Sequence, residues 1–194
     1  MGVYEVTRYQ WELAVFGSSM APGPTWPNTL RSWEQTQVDF MRNLAGRAHV
    51  PGTLPSEAMW EFAYRTCGDD AGMPGPKDFL WGSEAGLADV YAWHMGNSGG
   101  LVGIVGTKLP NYHGLYDMAG NVTELCRDDW NPSHTGASTD GSPRIGGYSG
   151  MQNSTTIVGR GSNFTDGALD GTYRTWYMSD NTDMRIGFRC ALVG

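Results

Sequence analysis

The chain has 194 residues, 40% of them apolar, which is enough for one domain with a substantial core. Its net charge of −7, with Lys77 and Lys108 as the only lysines, argues against a partner recognised through nucleic-acid phosphates or an anionic membrane surface. No apolar run approaches the roughly 18 residues that a membrane-spanning helix needs. The 28 glycines predict many turns and little regular structure.

Two capping boxes predict helices near the start of the chain. The sequence TRYQ begins with Thr7 and predicts a helix that ends at Gly17. The sequence SWEQ begins with Ser32 and predicts a second helix, whose apolar residues keep helical spacing up to a stop at Gly46. Glycine is the usual residue at such stops because it adopts a positive φ without strain.

A third helix is predicted from Ser56, and short strands are predicted beyond it. The residues that share one face of this helix are Trp60, Ala63 and Tyr64. After Gly68, short apolar pieces alternate with Gly, Pro, Asn and Asp, a pattern typical of short strands joined by loops. These pieces are residues 102–106, 155–161 and 185–193. Helices followed by strands indicate an α+β domain with antiparallel pairing.

The three cysteines, Cys67, Cys126 and Cys190, have no metal-binding spacing. One disulfide with one free thiol, and three separate buried thiols, both fit the sequence. No basic segment followed by an apolar one marks a leader, although a leader that had been removed would leave no trace. Localisation is therefore open, with the extracellular space, a cell surface and a phage particle as alternatives.

The segment GLYDMAGNVTELC, residues 114–126, resembles the signature of the formylglycine-generating enzyme, or sulfatase-modifying factor, family. Other segments are similar to this family in the same order: residues 4–12, 32–44, 54–65, 79–84, 97–122, 159–164 and 185–191. The resemblance implies an α+β, C-type-lectin-like fold with short helices and short antiparallel strands. It implies one domain over residues 1–194, with an N-terminal strand missing from this sequence, since only three residues precede Tyr4.

The short spacing of Asp117, Asn121 and Glu124 has two explanations. Either Asp117 caps a turn and Asn121 bonds the backbone locally, or the loop offers the oxygen ligands that calcium prefers. The resemblance implies the second. It assigns a structural calcium ion to the side chains of Asp117 and Glu124 and to the carbonyls of Gly120 and Val122.

The oxidase members of the family bind copper(I) through two cysteines, and soft thiolates are the ligands that this ion prefers. The resemblance places these two positions at Thr165 and Asp170, and neither residue is a thiolate. Ser162 matches the active-site serine of the family but cannot replace the copper pair. We therefore expect no copper and no formylglycine formation.

Other catalytic groups are scattered along the sequence. The histidines share no recognisable spacing: they are His49, His94, His113 and His134. Asp128 and Asp129 are adjacent and expected to be solvated, and Asp166 and Asp170 have no recognisable base partner. Iron-dependent sulfoxide synthases of the family take histidines from a helical domain that this sequence does not contain.

The resemblance also extends to variable proteins of diversity-generating retroelements, which are non-catalytic binding proteins with a variable segment near the C-terminus that closes with a sequence like IGFR. Residues 160–189 occupy that place, and their mixture of aromatics with Asp, Asn, Thr and Gly is typical of binding loops. The ligand expected is a protein or a cell-surface group. The residues expected to line the exposed ligand surface are Asn163, Thr165, Asp166, Leu169, Asp170 and Tyr173. Trp176 and Phe188 are expected to lie buried beneath it.

Residue usage in the C-terminal segment agrees with this interpretation. Such retroelements rewrite adenines, chiefly in Asn-type codons, and the products exclude Lys, Gln, Glu, Met and Trp. Residues 153–194 contain no Lys, Gln or Glu, although the chain has 2, 4 and 7 of them. Trp176, Met178 and Met184 would then be fixed positions. The alternatives are a family enzyme with altered chemistry, such as a tailoring oxidase, and an accessory domain of a larger protein.

Overall fold

The computed structural model describes most of the chain. The described residues are 1–21, 23, 25–49, 51–65, 79–81, 85–146, 156–167 and 169–192. Cys67 lies outside them. Cys126 and Cys190 are free thiols, so these two cysteines do not form a disulfide with each other.

The first helix, α1 (Arg8–Phe16), has the predicted ends. The amide of Gln10 donates to Thr7 Oγ1 at 3.2 Å, and the amide of Thr7 donates to Gln10 Oε1 at 2.9 Å, so the capping box is confirmed. Gly17 ends the helix with a φ of 79°. The buried face of α1 carries Trp11 and Ala14.

The second helix begins at the predicted capping box but ends later than predicted. The amide of Gln35 donates to Ser32 Oγ at 3.2 Å, and the chain then forms a π-helical segment, Gln35–Met41, which continues into α2 (Arg42–Ala48). The prediction of a stop at Gly46 is wrong. A glycine inside a helix costs only about 1 kcal/mol. The left-handed residue that ends the helix is His49, with a φ of 53°.

The third helix and the short helices that follow lie on either side of a gap in the described chain. Helix α3 (Glu57–Arg65) buries Trp60, Ala63 and Tyr64 on one face, as predicted. A 3₁₀ turn (Ala85–Leu87) leads into α4 (Ala88–Tyr91).

Six short strands form two sheets in the described part of the chain. They are β1 (Gly52–Thr53), β2 (Thr123–Asp129), β3 (Thr156–Arg160), β4 (Arg174–Met178), β5 (Ile186–Gly187) and β6 (Ala191–Leu192). The larger sheet has the order β4-β3-β2-β5, in which β2 pairs antiparallel with β3 and parallel with β5. Strands β1 and β6 form the smaller, antiparallel sheet. The α+β class is therefore confirmed, and the expected antiparallel pairing holds in the described sheets except between β2 and β5.

Two of the three predicted strand segments contain strands, and the third does not. Residues 155–161 include β3, and residues 185–193 include β5 and β6. Residues 102–106 form a loop, because their amides bond outside any strand ladder: that of Gly103 to Asn121 Oδ1, and that of Val105 to the Thr25 carbonyl. Strand β2 was missed because it is buried on both faces and lacks the polar alternation of a half-buried strand.

Two buried clusters form the core. One surrounds Trp60 and Tyr64 of α3 and contains Val158 of β3. The other joins α1 to the end of the chain through Trp11 and Phe188. Phe188 is fully buried, as predicted. None of the helices in the described part of the chain is long and apolar enough to cross a membrane.

Candidate functional site

The loop before β2 is built on left-handed backbone conformations. Asp117, Gly120 and Asn121 have φ values of 56°, 76° and 57°. At Gly120 a Cβ atom would lie 2.1 Å from the carbonyl oxygen of Trp93, so only glycine fits there. These turns hold the polar side chains of the loop inside the protein, where Asp117, Asn121 and Glu124 are all buried.

Asn121 joins four segments of the chain. Its amide donates to the Trp93 carbonyl at 2.8 Å, and its own carbonyl accepts the amide of Phe164 at 2.9 Å. Its side-chain Oδ1 accepts the amide of Gly103 at 2.8 Å, while Nδ2 donates to Glu5 Oε2 at 2.7 Å. Asn121 therefore organises the backbone, but it bonds distant segments, so the turn explanation, in which it bonds the backbone locally, is wrong for this residue.

Glu124 forms a buried ion pair with Arg189 that links β2 to the segment after β5. Arg189 Nε donates to Glu124 Oε2 at 2.6 Å, and its Nη2 donates to Oε1. The indole Nε1 of Trp60 also donates to Oε2, at 2.7 Å. Arg189 additionally donates to the carbonyls of Gly2 and Tyr116, which joins the N-terminal segment and the loop before β2 to this site.

Two further carboxyl groups, Glu5 and Asp117, are buried near this pair. Burial, and then the charges of Asp117 and Glu124, raise the pKa of Glu5 well above its usual range. Burial raises the pKa of Asp117 to about 6. Three buried carboxyl groups thus face one guanidinium, that of Arg189, and the site has an excess of negative charge whenever they are ionised.

Two of the expected calcium ligands, Asp117 and Glu124, have a carboxylate oxygen with a lone pair that is free to bind the ion. Asp117 Oδ2 accepts the amide of Gly106 at 2.6 Å, whereas Oδ1 is buried and has no hydrogen-bond partner among the described residues. Within the described part of the chain, Glu124 Oε1 accepts from Arg189 alone, and it keeps a second lone pair. No group of three or more His, Cys, Asp or Glu side chains in the described residues is arranged to hold a metal. The ligand set therefore needs the carbonyls of Gly120 and Val122, and calcium stays a prediction.

The six residues expected to line a ligand surface divide by burial. Thr165 is exposed, and Asp166, Asp170 and Tyr173 are half-buried. Asn163 and Leu169 are buried, with exposed fractions of 6% and 3%, so their placement on an exposed surface is wrong. Leu169 belongs to the core around Trp60. Asn163 does not lie on the surface because its side chain caps a turn. Its Oδ1 accepts hydrogen bonds from both the amide and the hydroxyl of Thr165.

Trp176 is also placed differently from the prediction. It was expected beneath the surface, but it is 43% exposed. The reason is topological, since β4 is an edge strand of the larger sheet and Trp176 pairs with Val158 on one side only.

Residues outside the 163–173 segment hold its backbone carbonyls. Arg160 donates to the carbonyls of Gly171, at 2.7 Å, and of Thr172 and Tyr173. The Tyr64 hydroxyl donates to the Leu169 carbonyl at 2.8 Å. The Ser98 hydroxyl and the amide of Met95 donate to the carbonyls of Phe164 and Asp166, at 2.8 and 3.1 Å. These carbonyls are thus held without the side chains of Thr165, Asp166, Asp170 and Tyr173, although Asp166 Oδ2 accepts the amide of Asn163 at 3.0 Å and Asp170 Oδ1 accepts that of Thr172.

The two positions that match the copper cysteines carry oxygen groups engaged in local turns. Thr165 Oγ1 donates to Asn163 Oδ1 at 2.6 Å, and Asp170 Oδ1 accepts the amide of Thr172 at 2.9 Å. The two thiols among the described residues are those of Cys126 and Cys190. Both are protonated at neutral pH, because burial raises the pKa of Cys190 to about 12 and that of Cys126 well above its usual range. No thiolate pair is assembled from the described residues.

The adjacent acids Asp128 and Asp129 were expected to be solvated, and for Asp128 this is wrong. Asp128 is buried, and its carboxylate accepts the amides of Glu57 and Arg144, both at 2.7 Å. Burial raises its pKa. Asp129 accepts the amide of Gly146 at 2.8 Å. Both acids therefore hold the backbone.

The sequence did not predict the role of Arg160 or the pairing of a histidine with an aspartate. Arg160 is fully buried and pairs with Glu61 at 2.9 Å, and the only sequence signal was an arginine inside an apolar strand segment. His94 Nε2 lies 2.9 Å from Asp89 Oδ1, a contact that their five-residue spacing did not suggest.

The short helices, the two small sheets and the loop before β2 agree with the lectin-like domain that the sequence resemblance implies. Residues 2–193 match the sulfatase-modifying factor enzyme 1-like domain, and the chain belongs to this family. It is 31% identical over 195 residues to a formylglycine-generating enzyme of Thermomonospora curvata, covering 90% of this chain and 58% of that protein. The chain thus spans little more than half the length of this relative.

Solved structures share the fold. Treponema denticola variable protein 1 superposes with a TM-score of 0.79 at 24% identity, covering 98% of this chain and 83% of that one. PvdO from Pseudomonas aeruginosa superposes with a TM-score of 0.67 at 24% identity, covering 89% of this chain and 64% of that one.

Proposed function

We propose that the chain is a non-catalytic binding domain whose ligand surface is formed by the side chains of Thr165, Asp166, Asp170 and Tyr173. The observation that carries this proposal is that the backbone carbonyls and the side chains of residues 163–173 have different surroundings. Scaffold residues hold the carbonyls of the segment, while these four side chains reach solvent at least in part. Such a segment keeps the contacts of its carbonyls when these side chains change, which is what a binding loop of changing specificity requires.

A retroelement origin of this changing specificity is the finer part of the proposal. It is supported by the lack of Lys, Gln and Glu in residues 153–194 and by the likeness of fold to a variable protein. Asn163 and Leu169, being buried, would be poor positions for variation, so the variable set is reduced to the four residues above. The ligand is a protein or a cell-surface group.

Structural calcium is a second part of the proposal. Asp117 and Glu124 would hold the ion with the carbonyls of Gly120 and Val122. It is supported by the buried Asp117 Oδ1, which has no hydrogen-bond partner in the residues that the structure describes, and by the excess of buried carboxyl groups. Calcium would neutralise this charge and fix the turns before β2.

An activity assay tests the non-catalytic proposal. The purified chain is incubated with a cysteine-containing sulfatase peptide, copper(I) and oxygen, with the Thermomonospora curvata enzyme as positive control. We expect mass spectrometry to detect aldehyde in the control alone, because oxygen groups replace both copper thiolates. Aldehyde formed by this chain would overturn the proposal.

The gene neighbourhood tests the retroelement part separately. A reverse transcriptase beside a near-copy of the codons for residues 163–173, differing at adenines, is the expected arrangement. Without it, the segment is an ordinary binding loop.

An enzyme with altered chemistry is the second candidate, favoured by the 31% identity to a formylglycine-generating enzyme. Metal analysis of the purified chain separates the two. Calcium alone agrees with the binding domain, whereas stoichiometric copper or iron supports the enzyme.

A further inference from the structure

A cavity of about 510 Å³ lies between the N-terminal segment, α1 and the second helix, away from residues 163–173. Its apolar wall comes from both helices and the N-terminal segment: Val3, Val6, Leu13, Ala14, Phe40, Leu44 and Ala48. Ligand pockets in proteins typically have about 300–1,000 Å³ and a mostly apolar lining with few polar groups. The cavity therefore has the size and lining of a small-molecule site.

The charge in this lining has the opposite sign to that of the whole protein. Arg47 is a cation at the cavity, and no Asp or Glu is among the lining residues. The thiol of Cys190 also lines the cavity, and burial raises its pKa to about 12, so it contributes no negative charge at neutral pH. In a chain of net charge −7, this cavity is suited to an anion.

Arg47 is held in place with part of its guanidinium free. Its Nε donates to the carbonyl of Ala14 at 2.8 Å, in the last turn of α1. Nη1 lies beside Gly17, 2.9 Å from where a Cβ atom of that residue would be. Neither Nη1 nor Nη2 makes a hydrogen bond to the residues that the structure describes. A guanidinium fixed in this way presents two donors in the fork geometry that suits a carboxylate.

We propose that this cavity binds a single-chain amphiphilic carboxylate, with the acyl chain against Phe40 and Leu44 and the carboxylate on Arg47. The apolar wall recognises the chain by burial, and the free guanidinium nitrogens recognise the head group. The site does not depend on the ligand surface of residues 163–173, and it requires no catalytic activity.

Decanoate is the probe, with decanol as an uncharged analogue and acetate as a head group without a chain. Binding to the full chain is followed by calorimetry and by intrinsic tryptophan fluorescence, to which Trp11 contributes; this ring stacks on Phe40 with ring centroids 5.6 Å apart. We expect saturable, one-to-one binding of decanoate and no detectable binding of acetate. Arg47→Met should weaken decanoate binding about tenfold or more, since a hydrogen bond to a charged group contributes about 1.5–3 kcal/mol, and leave decanol binding unchanged.

Two matched controls lie on the same helix. Arg42→Met removes an exposed arginine that does not line the cavity and should leave decanoate binding as it is. Ala48→Phe places a ring at the cavity and should abolish binding of both decanoate and decanol, whereas Ala45→Phe, at an exposed position outside the lining, should not. Each variant is checked for an unchanged circular dichroism spectrum. Absence of saturable decanoate binding, or equal binding by Arg47→Met and the parent chain, would overturn the proposal.

Discussion

Arg160 donates a hydrogen bond to the carbonyl of Gly171 at 2.7 Å, and the same guanidinium contacts residues of α3. Its Nη2 also pairs with Glu61 at 2.9 Å, and its guanidinium carbon lies 5.2 Å from the ring centre of Trp60. A single buried side chain thus anchors the proposed binding segment to the core. Because this anchor acts on a carbonyl, it does not depend on the side chains that we propose to form the ligand surface.

Arg160→Met should destabilise the domain by about 1–3 kcal/mol for each buried carbonyl that loses its donor, whereas Glu61 keeps its ion pair with Arg65. Chemical denaturation measures the change, and amide hydrogen exchange should show the largest loss of protection in residues 169–173. Arg185→Met is the matched control. Arg185 is half exposed and pairs with Asp183 at the surface, so its loss should cost less than about 1 kcal/mol. Equal effects of the two changes would contradict the anchoring role.

Gly120→Ala should prevent folding or destabilise the domain by more than about 3 kcal/mol, because the new methyl group would lie 2.1 Å from the Trp93 carbonyl in a left-handed conformation. Gly114→Ala is the control, since Gly114 also has a positive φ, of 73°, but has no heavy atom within 4 Å of the added carbon. We expect it to cost about 1–2 kcal/mol. Melting temperatures compare the two variants, and a similar loss in both would show that backbone strain alone matters at Gly120.

Calcium should raise the melting temperature of chelator-treated protein, and chelation should lower it, since an ion that binds only the folded state stabilises it by about 2.7 kcal/mol at 100 times its Kd. Asp117→Asn should remove most of this effect by removing a charged ligand. Glu124→Gln should weaken it as well, but that change also breaks the pair with Arg189. Asp140→Asn, at an exposed turn, is the control. A melting temperature that responds to neither calcium nor chelator would contradict the calcium proposal.

The calcium-free chain should lose stability as the pH rises from 4 to about 6. The pKa of Asp117 is raised by burial from 3.8 to about 6, so the folded state binds more protons than the unfolded state between these values. This contribution is fully present below pH 3.8 and is lost as the pH rises through about 6. It amounts to about 2–3 kcal/mol. Urea denaturation at each pH measures it, and a stability of Asp117→Asn that falls as steeply as that of the parent chain would contradict it.

The sequence predicted what depends on local chemistry and missed what depends on packing. The capping boxes at Thr7 and Ser32 were correct because their donors and acceptors lie three residues apart. The end of the second helix was wrong because Arg47 makes a contact to Ala14 that no local pattern encodes, and the helix continues past Gly46 to reach it.

The candidate site shows the same limit. The resemblance located the loop around Asp117 and Glu124. It did not predict that the loop bonds to Trp93, Gly103 and Glu5, which come from distant parts of the chain. The ligand surface was only partly predicted. Composition does not reveal that Leu169 points into the core or that the strand bearing Trp176 lies at a sheet edge.

The central claim, that residues 163–173 are a scaffold-held segment with replaceable side chains, is tested most directly by two small libraries screened for folded protein by protease resistance. One varies the partly or fully exposed positions Thr165, Asp166, Asp170 and Tyr173, and the other varies the buried positions Asn163, Phe164 and Leu169. We predict that most members of the first library fold, because the donors to the carbonyls of the segment are kept, and that few members of the second do. A first library that unfolds as often as the second would contradict it.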